Sequence, residues 1–497
     1  MVMPQDSNPR FIPHWIDGVD SPIAAPAGSE EMIDKFDPAT GHVQSRMARG
    51  RKPDAECAIV AARKAFEAWS QTTVVRRGEI LRKLTQILET RREEAASIVA
   101  RETGKSFKDA FGEAGAAIEM GYFVAGEGRR FYGKTTTSAT PGKMALITRQ
   151  PLGVAGLIIA ANTPIANVAW KAFPALLCGN TAILKASEDT PETAHFFAKL
   201  SAEAGVPPGV FNVLQGLGEE VGAPLVESRD VDLVSFTGSC AVGRWIAETA
   251  GKRMAKVCLE LGGKNPLIVA DDADLSKAVE GATLAAFSNA GQRCASGSRV
   301  IVFEKVYEEF LHRFVERAQA LKVGPTDSDD FGPVINEAQL RQMLAAVERA
   351  KAEGARVLTG GRRLDDATHR GGYYLAPTIL DSVDSAAEVS RSELFGPVTC
   401  VYRVQGFEEA VRLANDSPFG LTAAIYTQNV DRAMVFIQRI RAGVAVVNGP
   451  TYGSEPHMPF GGLKDSGNGT REAGTEALDV YSDFKTVYIN SDPAQTK

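Results

Sequence analysis

Gly153-Val154-Ala155-Gly156-Leu157-Ile158-Ile159-Ala160-Ala161-Asn162-Thr163-Pro164 holds a short apolar run that opens on glycine and closes on a polar, proline-bearing turn. Similar runs recur at 181–184, 210–214, 233–236 and 267–270, each bounded by Gly, Asn, Asp, Pro or Ser. Between them, 191–204 and 242–250 have helical composition. Short apolar strands alternating with helices predict βαβ units, that is, a parallel sheet with helices on its faces. Ligands in such sheets bind at the carboxyl ends of the strands.

A second α/β stretch follows from about 274 to 460. Its expected helices are 275–289, 306–321 and 338–353; its expected strands lie at Ile379, 398–402 and 444–447, and 484–489 reads as one more strand. Upstream, Thr135-Thr136-Thr137 favours extended backbone, Pro141-Gly142 is a turn, and 144–148 reads as a strand, so 131–150 is expected to be a projecting hairpin. Ile80, Leu81, Leu84, Ile87 and Leu88 carry helical spacing, with 97–103 continuing that helix to a stop at Gly104. The first 50 residues read as irregular with short strands and a turn at 37–41.

Composition narrows the class. The 497 residues carry a net charge of −6, with 44% apolar and 23% charged side chains, which argues against disorder and for two to four structural units. A mildly acidic chain is a poor nucleic-acid binder. The six cysteines are scattered without a C-x-x-C pair and the histidines are dispersed, so neither a disulfide framework nor a metal site is expected. The start, MVMPQDSNPR, has no apolar run of a signal peptide, and the apolar stretch 151–161 is too short to span a bilayer. A cytoplasmic, reducing location is expected.

Four segments carry chemistry. Cys294, in Gly291-Gln292-Arg293-Cys294-Ala295-Ser296, sits where a helical pattern gives way to a strand. Arg293 and nearby amides are expected to lower its pKa and so favour the nucleophilic thiolate; read alone, a small buried hydrophobe explains it as well. Cys258 and Cys400 look like strand interiors, Cys178 lies at a helix end, and Cys240 opens a helix, where thiol pKa values fall. Glu260, beside leucines and the Gly262-Gly263 pair, reads either as a general base with raised pKa or as an exposed strand-end carboxylate. Phe236-Thr237-Gly238-Ser239 runs from strand into helix, a start that suits a pyrophosphate, although no G-x-G-x-x-G is present. Lys185 and Glu188 close another strand, where they can hold ribose hydroxyls.

Taken in order, these segments resemble the aldehyde dehydrogenase superfamily. The resemblance rests on Ala161-Asn162-Thr163-Pro164 with Trp170-Lys171, Gly179-Asn180-Thr181 with Lys185 and Glu188, Phe236-Thr237-Gly238-Ser239, and Glu260-Leu261-Gly262-Gly263-Lys264. Gly291-Gln292-Arg293-Cys294, Glu393-Leu394-Phe395-Gly396-Pro397 and Pro459-Phe460-Gly461-Gly462 with Lys464 and Ser466-Gly467 complete it. It implies an α/β fold of two Rossmann-like domains plus a small β oligomerisation element. The cofactor-binding domain would be 1–130 with 152–262, the catalytic domain 263–463, and the oligomerisation element 131–151 with 478–497.

By the same resemblance, Cys294 is the nucleophile, forming a thiohemiacetal and then a thioester. Asn162 and the Cys294 amide form the oxyanion hole, Glu260 activates water for hydrolysis, and Lys171 falls among the catalytic positions. Glu472 matches an auxiliary proton relay, or else is a helix-start carboxylate. Lys185 and Glu188 match adenosine-ribose contacts, Gly238, Ser239 and Val242 the pyrophosphate-facing helix start, Glu393 the nicotinamide-ribose carboxylate, and Phe395 a contact of the nicotinamide. Glu188 would repel a 2′-phosphate, so NAD is expected over NADP. A homodimer or homotetramer acting on a small aldehyde is implied. The alternatives are a CoA-acylating enzyme, which typically lacks the base, and an NADP-preferring semialdehyde dehydrogenase. Two departures concern the substrate. Ala161 and Thr163 stand where many relatives carry Trp and Phe. Trp170 stands where several succinate-semialdehyde-type relatives carry an Arg for the substrate carboxylate, and it cannot form that ion pair. The segment 464–473 is similar to members that oxidise sugar-acid semialdehydes and hydroxyaldehydes.

Overall fold

A computed structural model describes residues 9–21 and 32–492. The expectations for 1–8, 22–31 and 493–497, including the chain start and the last residues of the 478–497 element, lie outside the described residues.

The opening stretch forms the centre of a seven-stranded sheet. Its order is Lys256–Glu260, Leu233–Thr237, Val154–Ile158, Thr181–Lys185, Phe211–Leu214, His14–Ile16, Val19–Ser21. The first five strands are parallel; His14–Ile16 and Val19–Ser21 add antiparallel. Alternation along each strand divides two cores. Ala155, Leu157, Ala182, Leu184 and Val213 pack on one face with the helices Val74–Thr90, Phe107–Glu127, Pro164–Leu177 and Pro191–Ala204. Val154, Ile158, Ile183, Leu214 and Val234 pack on the other with Lys52–Gln71 and Cys240–Gly251. Burial on both faces is why these strands read as unbroken apolar runs. From Val154–Ile158 the chain builds outward in one direction through Phe211–Leu214, then returns to build in the other through Lys256–Glu260. The reversal leaves a crevice at the strands' carboxyl ends.

A second seven-stranded sheet has the order Arg356–Thr359, Thr378–Asp381, Val398–Val404, Gly297–Phe303, Asn265–Val269, Thr422–Tyr426, Val444–Val447, and only its first strand is antiparallel. The 267–270 run therefore opens this sheet rather than closing the first. The hairpin expectation for 131–150 is met by Lys134–Thr137 and Lys143–Pro151, and the C-terminal strand Ser482–Asn490 pairs along the whole of the latter, from Ser482 opposite Pro151 to Asn490 opposite Lys143. Met144, Phe484, Tyr488 and Ile489 on this ribbon are exposed. No helix among the described residues is long and apolar enough to cross a membrane.

Several local expectations need correction. The helix through Ile80 ends at Thr90; Arg91 leaves helical geometry (φ −104°, ψ 25°), and 97–103 belongs to a separate helix, Arg92–Thr103, capped by left-handed Gly104. The 21-residue helix Phe107–Glu127 was not anticipated: its buried face sets Ile118, Met120 and Val124 among the small residues Ala110, Ala114, Ala117 and Gly121 and the buried carboxylates Glu113 and Glu127, which blurs the apolar period. Among the described residues before 50, the expected short strands are placed: His14–Ile16 and Val19–Ser21 join the first seven-stranded sheet, and Arg10–Ile12, Val43–Ala48 and Met32–Phe36 form one of their own.

Asn180 shows how the first sheet is anchored. Its fully buried side chain accepts from the Leu152 and Gly153 amides (2.8 and 3.0 Å) and donates to the Ala175 and Tyr481 carbonyls (3.1 and 2.7 Å). All its hydrogen-bonding groups are used, joining the start of the central strand to the C-terminal helix. Asn180→Leu would strand buried backbone groups at about 1–3 kcal/mol each. A clear fall in the urea midpoint is expected, and an unchanged midpoint would show that water replaces the amide.

Candidate active site

The crevice opens into a cavity of about 1760 Å³. Its walls come from loops that follow the parallel strands: 158–163 after Val154–Ile158, 185–189 after Thr181–Lys185, 237–239 after Leu233–Thr237, and 260–262 after Lys256–Glu260. The second sheet closes it with Asn289, Gln292–Ala295 and Ser392–Phe395. Asn162, Lys185, Glu188, Gly238, Ser239, Val242, Glu260, Cys294, Glu393, Phe395 and Glu472 all line this one cavity. Lys171 alone among the expected site residues does not. It is fully buried behind the wall, paired with Glu472 and donating to Ser235 Oγ at 2.9 Å.

The loop before Cys294 is conformationally unusual. Asn289 and Ala290 are both left-handed (φ 53° and 54°), followed by Gly291 at φ 67°. Left-handed geometry costs a non-glycine residue roughly 1–2 kcal/mol, so surrounding contacts must hold the turn. Asn289 Nδ2 donates to the Gln292 carbonyl (3.2 Å), and the Gln292 side chain bridges the Pro333 carbonyl and the Ile335 amide (3.3 and 2.8 Å). A Cβ on Gly291 would meet the Gly396 carbonyl oxygen at 2.2 Å. Asn265 Nδ2 donates to the Cys294 carbonyl at 2.8 Å, fixing the residue from the other side.

Asn162 is held from behind. Lys105 Nζ donates to its carbonyl at 2.8 Å while pairing with buried Glu113 at 2.6 Å. Asn167 Nδ2 donates to Asn162 Oδ1 (3.3 Å), which fixes the amide's orientation, and Asn162 Nδ2 donates to the Gln292 carbonyl (3.1 Å). That nitrogen carries a second hydrogen for an oxyanion. Lys105, Glu113 and Asn265 were missed in the sequence because each meets the site through tertiary contact, and Asn167, although only five residues after Asn162, carried no motif signal of its own.

The carboxylates are tuned by burial. Glu260 is buried, not an exposed strand end, and its Oε1 has no hydrogen-bond partner. Burial and then the Glu472 charge push its pKa well above the ordinary carboxylate value, against the pull of Lys171 and Arg471. Glu472 lies in a bridge with Phe460 rather than at a helix start. Glu393 is raised to about 7 by burial, although it accepts from the Gly263 amide (2.9 Å) and faces Lys264. At Glu188 burial works upward, but the Lys185 ammonium, 2.9 Å away, outweighs it and keeps the carboxyl below its usual range.

The pKa expectations for Cys294 and Cys240 are corrected, and that of packing for Cys178 and Cys258 holds. Cys294 is half-buried and its thiol is pushed up to about 12 by burial and by Glu260 and Glu393; the Ala295 amide and Arg293 only partly offset this. Cys240 likewise is raised by burial despite its helix-start position. Cys178 and Cys258 are buried and raised to about 12, as packing residues.

Residues 25–487 match the aldehyde dehydrogenase family model. The chain belongs to the aldehyde dehydrogenase family. Its relatives include an α-ketoglutaric semialdehyde dehydrogenase of Bacillus subtilis, 40% identical over 93% of this chain and 95% of that protein. A mitochondrial aldehyde dehydrogenase of Leishmania tarentolae is 38% identical over 94% of this chain and 93% of that one. The structure of Staphylococcus aureus betaine aldehyde dehydrogenase in complex with NAD+ superposes with a TM-score of 0.94 at 33% identity, covering 97% of this chain and 95% of that one. Aldehyde dehydrogenases are oxidoreductases of the EC 1.2.1 type.

A raised thiol pKa has a direct readout. In cofactor-free protein, iodoacetamide alkylation at Cys294, followed by peptide mass spectrometry, is expected to accelerate continuously from pH 7 past pH 9. A plateau below pH 8 would show a depressed thiol instead.

Proposed function

We infer that the protein oxidises an aldehyde to the carboxylic acid through a covalent adduct on Cys294, with NAD as the hydride acceptor. The observation that carries this reading is the convergence of Cys294, from the second sheet, with Glu260 and Asn162, from the first, on one cavity.

The residues present fit a dinucleotide. The helix Cys240–Gly251 starts at the cavity wall, which Gly238, Ser239, Ala241 and Val242 line; Ser239 Oγ accepts from the Val242 amide (3.4 Å), and the other amides of the first turn favour a pyrophosphate. Lys185 and Glu188 at the next strand end would take the adenosine-ribose hydroxyls, and Glu393 with Phe395 would take the nicotinamide end. NAD, when bound, supplies the acceptor for the hydride. The ionised Glu188 opposes a 2′-phosphate, which supports a preference for NAD over NADP.

Within the chain, the Cys294 thiol gives its proton to Glu260, which passes it on to water before the second step, and Sγ attacks the carbonyl carbon. The Asn162 side-chain amide and the Cys294 backbone amide stabilise the resulting oxyanion. Loss of hydride from that tetrahedral carbon leaves a thioester on Cys294. Glu260 then takes a proton from water as the water attacks the thioester, and its raised pKa suits a base working near neutrality. Glu472 and Lys171 form the buried pair next to Glu260 through which that proton can leave. A second acceptor such as CoA is not needed when a base of this kind is in place, which favours hydrolysis over acyl transfer.

The same reading divides the chain into a cofactor-binding domain (1–130 with 152–262), a catalytic domain (263–463) and an oligomerisation element (131–151 with 478–497). The exposed apolar side chains of the ribbon suit pairing with another subunit in a dimer or dimer of dimers.

With aldehyde, NAD and added CoA, the expected product is free acid with NADH in equal amount, with a higher kcat/KM for NAD than for NADP and no turnover by Cys294→Ala. Acyl-CoA as the main product would favour the acylating alternative, equal efficiency with NADP would overturn the Glu188 reading, and wild-type turnover by Cys294→Ala would overturn the nucleophile.

A further inference from the structure

Arg293 is the cavity cation that the reaction above leaves unused. It is half-buried and lines the cavity immediately before the nucleophile. Its Nε donates to Ser288 Oγ at 3.3 Å, and its guanidinium carbon lies 4.7 Å from the centroid of the Tyr452 ring. Among the described residues no carboxylate pairs with it, and neither terminal nitrogen donates a hydrogen bond.

The other cations of the cavity differ. Lys105 pairs with Glu113, Lys185 with Glu188 and Arg349 with Glu388, while Lys108 is exposed. Arg293 therefore combines partial desolvation, an aromatic platform and a side-chain anchor with a free pair of terminal N–H groups. A planar fork held in this way matches a carboxylate in two-point contact, and removal from water strengthens the contact. Because Arg293 adjoins Cys294, the carboxylate it meets belongs to the molecule whose aldehyde is attacked. Trp170, stacked edge-on against Phe460 at 5.7 Å, supplies no charge.

We propose that Arg293, braced on Tyr452, receives the carboxylate of a short-chain oxo acid, so that the substrate class of this site is aldehydes bearing an acid group at the other end. The proposal rests on the Cys294 reading above. It makes Arg293 a specificity-determining residue and not a participant in bond-making.

The test compares 4-oxobutanoate and 5-oxopentanoate with butanal and pentanal on the wild type and on Arg293→Gln, Arg293→Lys and Arg293→Glu. The wild type is expected to favour the oxo acids in kcat/KM. That preference should fall roughly 10- to 100-fold in Arg293→Gln, chiefly through KM, as expected when a charge-assisted contact is lost. Arg293→Lys should recover part of it and Arg293→Glu should invert it. A wild-type preference for the neutral aldehydes, or an equal loss on both classes in Arg293→Gln, would overturn the proposal; the second result would assign Arg293 to the thiol. Calorimetric binding of glutarate against pentanoate needs no turnover and separates this proposal from the aldehyde-oxidation reading. Tighter glutarate binding that Arg293→Gln abolishes supports the carboxylate contact even if no aldehyde is oxidised, whereas equal binding of the two acids by the wild type overturns it.

Discussion

The site depends on a close approach of two backbones at Gly262-Gly263. This pair links the last strand of the first sheet, Lys256–Glu260, to the first strand of the second, Asn265–Val269. A Cβ on Gly263 would lie 2.4 Å from the Cys294 carbonyl oxygen, and one on Gly262 would lie 2.1 Å from a Glu393 carboxylate oxygen. Neither position can take a side chain without moving the residues expected to do chemistry. Without that contact Glu260 and Cys294 would belong to two separate sheets; with it they face one cavity. The glycines are there for space, since neither has a left-handed φ.

Bringing these groups together out of water sets their electrostatics. Glu260, Glu393 and Cys294 are all pushed toward their neutral forms, each chiefly by burial and Cys294 additionally by the two carboxylates. Lys171 with Glu472 and Lys105 with Glu113 are the buried ion pairs beside them. One pair stands behind Glu260 and the other holds the Asn162 carbonyl. The left-handed turn at Asn289 and Ala290 adds a geometric constraint, holding Cys294 where the second sheet meets the first.

The parallel sheet was legible in the sequence because strands buried on both faces read as apolar runs with turn residues between them. Cys294, Glu260 and Asn162 were picked out by their motifs, and they line one cavity; the leucines beside Glu260 left its burial open between a buried base and an exposed strand end. Helix Phe107–Glu127 escaped because its buried face mixes alanine and glycine with a few larger apolar residues and with buried Glu113 and Glu127, which interrupts the apolar period. The thiol pKa was misjudged because a neighbouring arginine is visible in sequence, while the burial of the thiol and, after it, the charges of Glu260 and Glu393, far along the chain, are not. Lys105 and Asn265 were illegible for the same reason: their partners Asn162 and Cys294 lie 57 and 29 residues away.

Two-step use of Cys294 and Glu260 is the central claim, and the acyl intermediate between the steps is its direct signature. Glu260→Gln, mixed with aldehyde and NAD and acid-quenched, is expected to carry the acyl mass on the peptide containing Cys294, with close to one NADH released per subunit and little thereafter. An acyl group on a different residue, or sustained wild-type turnover with no adduct, would contradict the account.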